Sequence, residues 1–352
     1  MTNPGDVATL FNGRRVLVTG HTGFKGSWLT IWLEKLGASV TGIGLAPHTN
    51  PSLFELARLS THMDDRRCDV RDRTGVDKVV AEVRPEFVFH LAAQALVRTS
   101  YESPVETMAT NVMGTAHLLE SVRTHVPQAV VVVVTSDKCY ENREWVWPYR
   151  ENDPLGGHDP YSASKACAEI VAASWRRSFG RGPRIATARA GNVIGGGDWS
   201  IDRIVPDCVR ALSQRETITV RNPAAIRPWQ HVLEPLSGYL LLAAKLHQSP
   251  SFAQAWNFGP DNEDMRTVEQ LVDTVVAAWG EGARWSSSER VGAPHEANAL
   301  TLSSAKAMHE LGWYPTWHFE HAVRTTVAWY KACLGEADAH RLCMGAIGEF
   351  TQ

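Results

Sequence analysis

The sequence predicts an α/β protein: a doubly wound parallel sheet followed by a smaller C-terminal lobe. Three observations carry this. A strand, a glycine-spaced turn and a helix follow one another between residues 15 and 36. Strand-sized apolar runs then alternate with helix-length segments up to about residue 190, the pattern of right-handed crossovers onto one sheet. Beyond that point short helices separate loops rich in Gly, Pro and Trp, such as Gly195-Gly196-Gly197-Asp198-Trp199 and Arg227-Pro228-Trp229-Gln230-His231.

Each element has its own reason. Residues 15–20 (Arg-Val-Leu-Val-Thr-Gly) read as a strand buried on both faces. A helix over 27–36 follows the glycine turn. Residues 38–42 give the second strand, and a short third strand ends at Cys68-Asp69. Helical pattern over 72–83 leads to a strand at 87–91, and a single long helix is predicted over 105–124. Residues 129–134 (Ala and five Val) form a fifth buried strand. A helix over 161–179 and a strand over 184–189 complete the alternation. Residues 1–190 are thus expected as one domain, with a return segment at about 231–247. Residues 191–352 are expected as the second lobe, its tail from Leu334 onward weakly patterned and loosely held.

Composition narrows the function classes. The 352 residues include 35 Lys+Arg against 38 Asp+Glu, a net charge of −3, which gives no electrostatic case for nucleic acid or an anionic membrane as partner. The longest apolar run is strand-sized, and the N-terminus lacks the basic-then-apolar pattern of a secretory signal. The six cysteines, at 68, 139, 167, 208, 333 and 343, form no Cys-x-x-Cys pair, so no disulfide framework or metal site is expected. A cytoplasmic location fits this usage.

Gly20, Gly23 and Gly26 form a Gly-x-x-Gly-x-x-Gly pattern between the first strand and first helix. The first allows a tight turn, the second allows backbone to approach a pyrophosphate, and the third allows close helix–strand packing. The helix start offers amide donors and positive dipole to phosphate. Gly20, Thr22, Gly23, Phe24, Lys25 and Gly26 are therefore candidate dinucleotide contacts in a Rossmann fold. In such sheets ligands lie at the carboxyl ends of the strands. Leu91-Ala92-Ala93, Thr135-Ser136-Asp137-Lys138 and Gly191-Asn192 all fall there.

Tyr161 and Lys165 stand four residues apart at the start of the 161–179 helix, hence on one face. An ammonium close to a phenol lowers its pKa and favours the phenolate, a good base toward an alcohol near neutrality. This pair predicts proton abstraction from a hydroxyl beside the dinucleotide.

With these marks in hand, the chain resembles the extended short-chain dehydrogenase/reductase family over about residues 12–333. Within it the sequence is similar to the nucleotide-sugar dehydratases, in particular the cytidine type. The most specific stretches are 20–28, 135–144 (with its Ser-Asp-Lys triplet), 190–198 and 227–232. The resemblance implies oxidation of the sugar C4, loss of water across C5–C6 and return of the hydride to C6. NAD would be the cofactor, CDP-glucose the substrate and a homodimer or homotetramer the assembly. It implies that Tyr161 deprotonates the C4 hydroxyl, that Lys165 lowers the Tyr161 pKa and holds the nicotinamide ribose, and that Ser136 bonds the C4 oxygen. Asp137 would protonate the departing C6 hydroxyl, which needs a raised pKa. Lys138 stands where better-known sugar dehydratases carry a glutamate. It is either a neutral base for C5–H or a charged group that polarises the C4 oxygen.

The resemblance also implies adenine contacts from Asp69 and Val70, ribose and pyrophosphate contacts from Leu91, Ala92 and Ala93, and substrate contacts from Asn192, Arg203, Arg227 and His295, with Glu296 beside it. Either arginine is alternatively a structural ion pair. The segment 42–48 carries no acid for the NAD ribose, which suggests weaker anchoring, and no arginine for a 2′-phosphate. The same machinery leaves open a dehydratase or 4-epimerase acting on a dTDP-, GDP- or UDP-hexose. A non-catalytic NAD-sensing protein is the alternative from another class.

Overall fold

The structure, a computed structural model, describes residues 7, 9–287 and 300–352. Seven strands form one parallel sheet: β1 (Arg15–Thr19), β2 (Ser39–Gly44), β3 (Asp64–Arg67), β4 (Phe87–His90), β5 (Val130–Val134), β6 (Arg184–Ala190) and β7 (Ala255–Phe258). Their spatial order is β7-β6-β5-β4-β1-β2-β3, so the chain winds outward in both directions from the β1/β4 boundary. That switch point opens a crevice at the carboxyl ends of the strands.

Strand periodicity divides the core. Val16, Val18, Phe87, Phe89, Val130 and Val132 face one side and pack against Trp28 and Leu29 of α1 (Phe24–Lys35). Leu17, Val88, Val131 and Val133 face the other. They meet Val76 and Val80 of α2 (Arg73–Val83), Leu118 of α3 (Gly114–His125) and Ala172 of α4 (Pro160–Ser178). Every Val of β5 is buried because both sides are covered.

Three expectations need correction. The long helix predicted over 105–124 is interrupted: Pro104–Met108 runs into a π-turn at Ala109–Met113 before α3. The π-turn puts Asn111 inward, where its Nδ2 donates to the Ser164 hydroxyl at 2.8 Å and its Oδ1 accepts from the Gln94 amide at 2.8 Å. Next, β7 joins the sheet beside β6 after a gap of more than sixty residues; its four residues are too short to stand out in sequence. Finally, the tail is not loose. It forms a helix at Ala339–Phe350 that buries Cys343 and Ile347.

After β6 the chain builds α5 (Ile204–Ser213), α6 (Leu233–Gln248), α7 (Val268–Trp279) and α8 (Phe319–Leu334), and the tail helix is α9. Leu236, Leu240 and Ala243 of α6 lie in the core shared with β1 and β5.

Candidate active site

The glycine turn sets one wall of the crevice. Gly20 has φ +74°, and a Cβ there would lie 2.7 Å from the Ala92 amide nitrogen. A Cβ on Gly26 would lie 2.1 Å from the Gly20 carbonyl oxygen. These two glycines are required by the protein's own packing. Gly23 is different: its φ is −80°, and its Cβ would make only an ordinary 3.4 Å contact. No side chain caps α1 at Gly23, so the first-turn amides keep the free donors of a helix start. Thr22 ties the turn to the strand-2 loop through its hydroxyl, which donates to the Leu45 carbonyl at 3.0 Å. Leu91 and Ala92 are fixed from β1: their amides donate to the Thr19 carbonyl at 3.1 Å and the Thr19 hydroxyl oxygen at 3.0 Å. Ala93 follows them, partly buried.

Ser136, Asp137 and Lys138 leave the end of β5 in a tight 3-10 turn. The Ser136 hydroxyl donates to Asp137 Oδ1 at 2.9 Å, and the same oxygen accepts the Lys138 amide at 2.9 Å. Asp137 is buried, and desolvation lifts its carboxyl above the usual range. Lys138, the Ser136 hydroxyl, the Lys138 amide and Lys25 all pull the other way, without prevailing. Gly191 lets the chain after β6 pass this group, since a Cβ there would sit 3.0 Å from Asp137 Oδ2.

α4 begins with Pro160 and is capped by Asp159, whose Oδ1 accepts the Ser162 amide at 2.9 Å. Tyr161, Lys165 and Glu169 recur every four residues on its buried face. Burial, rather than Lys165, is the largest influence on the Tyr161 phenol within the chain. Burial pushes the Tyr161 phenol up to about 12; a hydrogen bond with Ser136 opposes this, nearby Asp137 adds to it, and Arg203 opposes it. The Lys165 ammonium instead donates to the Val134 carbonyl at 3.3 Å, and desolvation brings it down to about 8.

The sequence model of the GDP-mannose 4,6 dehydratase family matches residues 17–326. The chain belongs to that family. It is 51% identical, over 93% of each chain, to the CDP-glucose 4,6-dehydratase of Salmonella typhimurium. In fold it is similar to the dTDP-glucose 4,6-dehydratase of Streptomyces venezuelae solved with NAD, at 24% identity and TM-score 0.76, covering 93% of this chain and 99% of that one. It is likewise similar to the UDP-glucose-4-epimerase of Stenotrophomonas maltophila, at 22% identity and TM-score 0.80, covering 92% and 100%.

In this member of the GDP-mannose 4,6 dehydratase family, Lys25 reaches beyond the glycine turn. Its ammonium lies 3.4 Å from the Tyr239 hydroxyl of α6. Desolvation lowers it to about 7; Arg203 adds to that, Asp137 opposes it and Lys165 adds to it. Lys25, Asp137, Tyr161, Lys165 and Arg203 therefore share one electrostatic environment. Arg203 is also an ion-pair partner of Asp198 at 3.8 Å, the structural alternative weighed for it. Arg227 lies on the strand Ile226–Pro228, whose Pro228 borders Gly191. Asn192 follows Gly191, partly buried. His295 and Glu296 lie outside the described residues.

The adenine-side candidates are already engaged. The Asp69 carboxylate holds Arg71 at 2.6 Å, and that bond keeps it below the usual range. The Val70 side chain packs in the core against α3. Sequence reasoning missed Tyr239, His90 and His21. His90 bridges the Thr19 and Thr115 hydroxyls at 2.7 and 3.0 Å, and burial takes it down to about 3. His21 bonds Asp65 at 2.7 Å beneath the glycine turn. A histidine or tyrosine carries no local mark of the distant partner it meets in the fold.

Proposed function

We infer that the protein is a CDP-glucose 4,6-dehydratase, which turns CDP-glucose into CDP-4-keto-6-deoxyglucose and water. The observation that carries this is the 51% identity to the Salmonella enzyme over 93% of the chain. NAD fits the residues present: a left-handed Gly20, an uncapped helix start at Gly23, and a Gly23 whose Cβ would touch only the Gly20 carbonyl oxygen, at 3.4 Å. Gly20, Thr22, Gly23, Phe24, Lys25 and Gly26 would hold its pyrophosphate, and Lys165 its nicotinamide ribose. When bound, NAD supplies a hydride acceptor that is restored in each cycle.

The chain's own residues handle the protons. Tyr161 takes the C4 hydroxyl proton, and Ser136 bonds the C4 oxygen. A phenol at about 12 is a poor base at neutral pH; Ser136 and Arg203 are the influences within the chain that favour its phenolate. Once C4 is a ketone, the C5 proton becomes acidic, and Lys138, half-buried at the crevice, is assigned to remove it. Asp137 protonates the departing C6 hydroxyl. Its raised pKa supports that role, because a general acid must hold its proton near neutrality. A 4-epimerase has no use for such a proton.

Asn192, Arg203, Arg227 and His295 are assigned to the substrate diphosphate and sugar, which call for charge-assisted donors. Residues 191–352 form the nucleotide-sugar lobe, apart from the segments near 233–258 that return to the sheet. A homo-oligomer formed through the helices around 104–125 and 160–178 is supported by the exposed Val105, Met113 and Ile170 on them. Among the described residues no helix is long and apolar enough to cross a membrane, and a cytoplasmic site of action accords with that.

The test is incubation with NAD and a panel of CDP-, dTDP-, GDP- and UDP-hexoses. A 4-keto-6-deoxyhexose from CDP-glucose alone is the expected product. Preference for another nucleotide would overturn the substrate, and a C4 epimer would overturn the reaction.

A further inference from the structure

We propose that Glu34, His62 and His340 form a binding site for a divalent transition-metal ion, with Zn2+ the best match to the ligands. The three come from distant segments: the last turn of α1, the turn after the short helix at Leu59–Thr61, and the first turn of α9. His62 Nδ1 lies 2.9 Å from Glu34 Oε1, and His340 Nε2 lies 2.8 Å from Glu34 Oε2. The two imidazoles stack with centroids 4.2 Å apart and planes 14° apart. One nitrogen from each ring and a carboxylate oxygen all lie within 4.8 Å of one another. Ligand atoms around one zinc ion at about 2.0–2.1 Å stand roughly 3.3–3.5 Å apart in a tetrahedron, so small side-chain rotations close the set.

The chemistry favours a transition metal over Mg2+ or Ca2+. Two imidazole nitrogens and one carboxylate suit zinc, whereas the hard cations require oxygen donors. In the metal-free chain each ring donates N–H to the carboxylate. On binding, a neutral ring moves that proton to its other nitrogen through solvent and presents the lone pair. The side chains of Glu34, His62 and His340 are 27%, 33% and 15% exposed, so an ion can enter and water can complete its shell. Among the described residues no other three His, Cys, Asp or Glu side chains converge in this way. The bound ion would fasten the tail helix to α1, beside the Trp32–Phe350 edge contact at 5.7 Å. Glu34 is nine residues along α1 from Lys25, about 14 Å by helical rise, so the site is separate from the catalytic crevice.

The experiment uses the full chain stripped with EDTA, titrated with Zn2+ by calorimetry and with Co2+ by visible absorption. One Zn2+ per chain is expected, together with the absorption bands of four- or five-coordinate Co2+. At Zn2+ a hundredfold above Kd, the melting temperature should rise by about 3–6 °C. Glu34→Gln and His340→Gln should each weaken binding at least about tenfold, the loss already typical of groups one step further from a metal. Unchanged affinity in both variants would overturn the site. Should either variant fail to fold, the wild-type Co2+ spectrum decides: featureless absorption at saturating Co2+ overturns the proposal.

Discussion

Two buried carboxylates stand near the carboxyl end of β5, and their surroundings shift them in opposite directions. Glu169 on α4 accepts hydrogen bonds from the Thr135 hydroxyl at 2.5 Å, the Thr187 hydroxyl at 2.7 Å and Arg189 at 2.9 Å. Burial alone would raise its pKa, but the Arg189 charge and these bonds together hold it below the usual range. Among the described residues Asp137 accepts only the Ser136 hydroxyl and the Lys138 amide, no guanidinium bonds it, and burial prevails. The number and charge of donors, rather than depth, decides which carboxyl is lowered and which is raised. The first fixes the end of β5 and the face of α4 that carries Lys165. The second is left to burial, which favours its protonated form.

The largest expected effect lies at the Tyr161 phenol, beside Ser136 and Asp137. Tyr161→Phe should cut turnover by about two to four orders of magnitude, the scale of a lost general base, as read by steady-state formation of the keto product. Near-normal turnover would remove Tyr161 from the chemistry.

Arg189→Leu tests the structural carboxylate directly. It leaves Glu169 buried without its cation and should cost about 3–5 kcal/mol of stability in denaturant unfolding. A loss under about 1 kcal/mol would mean that the threonine hydroxyls suffice.

Asp137→Asn is the mirror experiment. Turnover should fall about a hundredfold or more while C4 oxidation survives, visible as cofactor reduction without water loss. Its stability should hold or rise, and the two carboxylates should differ in pH dependence. A folded pKa raised above the unfolded 3.8 gives Asp137 a contribution that is complete below 3.8 and lost as pH rises through the folded value. The variant should therefore gain on wild type as pH climbs through that window. The Glu169 contribution is complete above its unfolded 4.5 and lost as pH falls through its lower folded value. Parallel stability curves for Asp137→Asn and wild type from pH 4 to 8 would contradict the raised Asp137.

The smallest effects extend the contrast to the glycine turn. Gly26→Ala forces a Cβ to 2.1 Å from the Gly20 carbonyl and should cost about 1–3 kcal/mol, as overpacking does. Gly23→Ala meets only a 3.4 Å contact. It should leave the melting temperature nearly unchanged while weakening NAD binding about tenfold, measured by calorimetry. Equal loss of stability in both would show that Gly23 is also a packing requirement.

Much of the framework could be read from residues that are neighbours in the chain. The strand–turn–helix at 15–36, the valine run of β5, and the four-residue spacing of Tyr161 and Lys165 are local patterns, and each fixes a local backbone geometry. The sequence determined that a parallel sheet would carry a dinucleotide cradle and a tyrosine–lysine helix face at its carboxyl edge, because glycine conformations and helical periods depend on nearest neighbours. Only the tertiary structure decided the rest: that Tyr239 of α6 meets Lys25, that β7 closes the sheet edge, and that Lys165 bonds Val134. It also decided that burial raises the Asp137 carboxyl while Arg189 and the hydroxyl donors lower that of Glu169. Desolvation and the count of donors depend on groups brought together from across the whole chain, and no short stretch of sequence contains that sum.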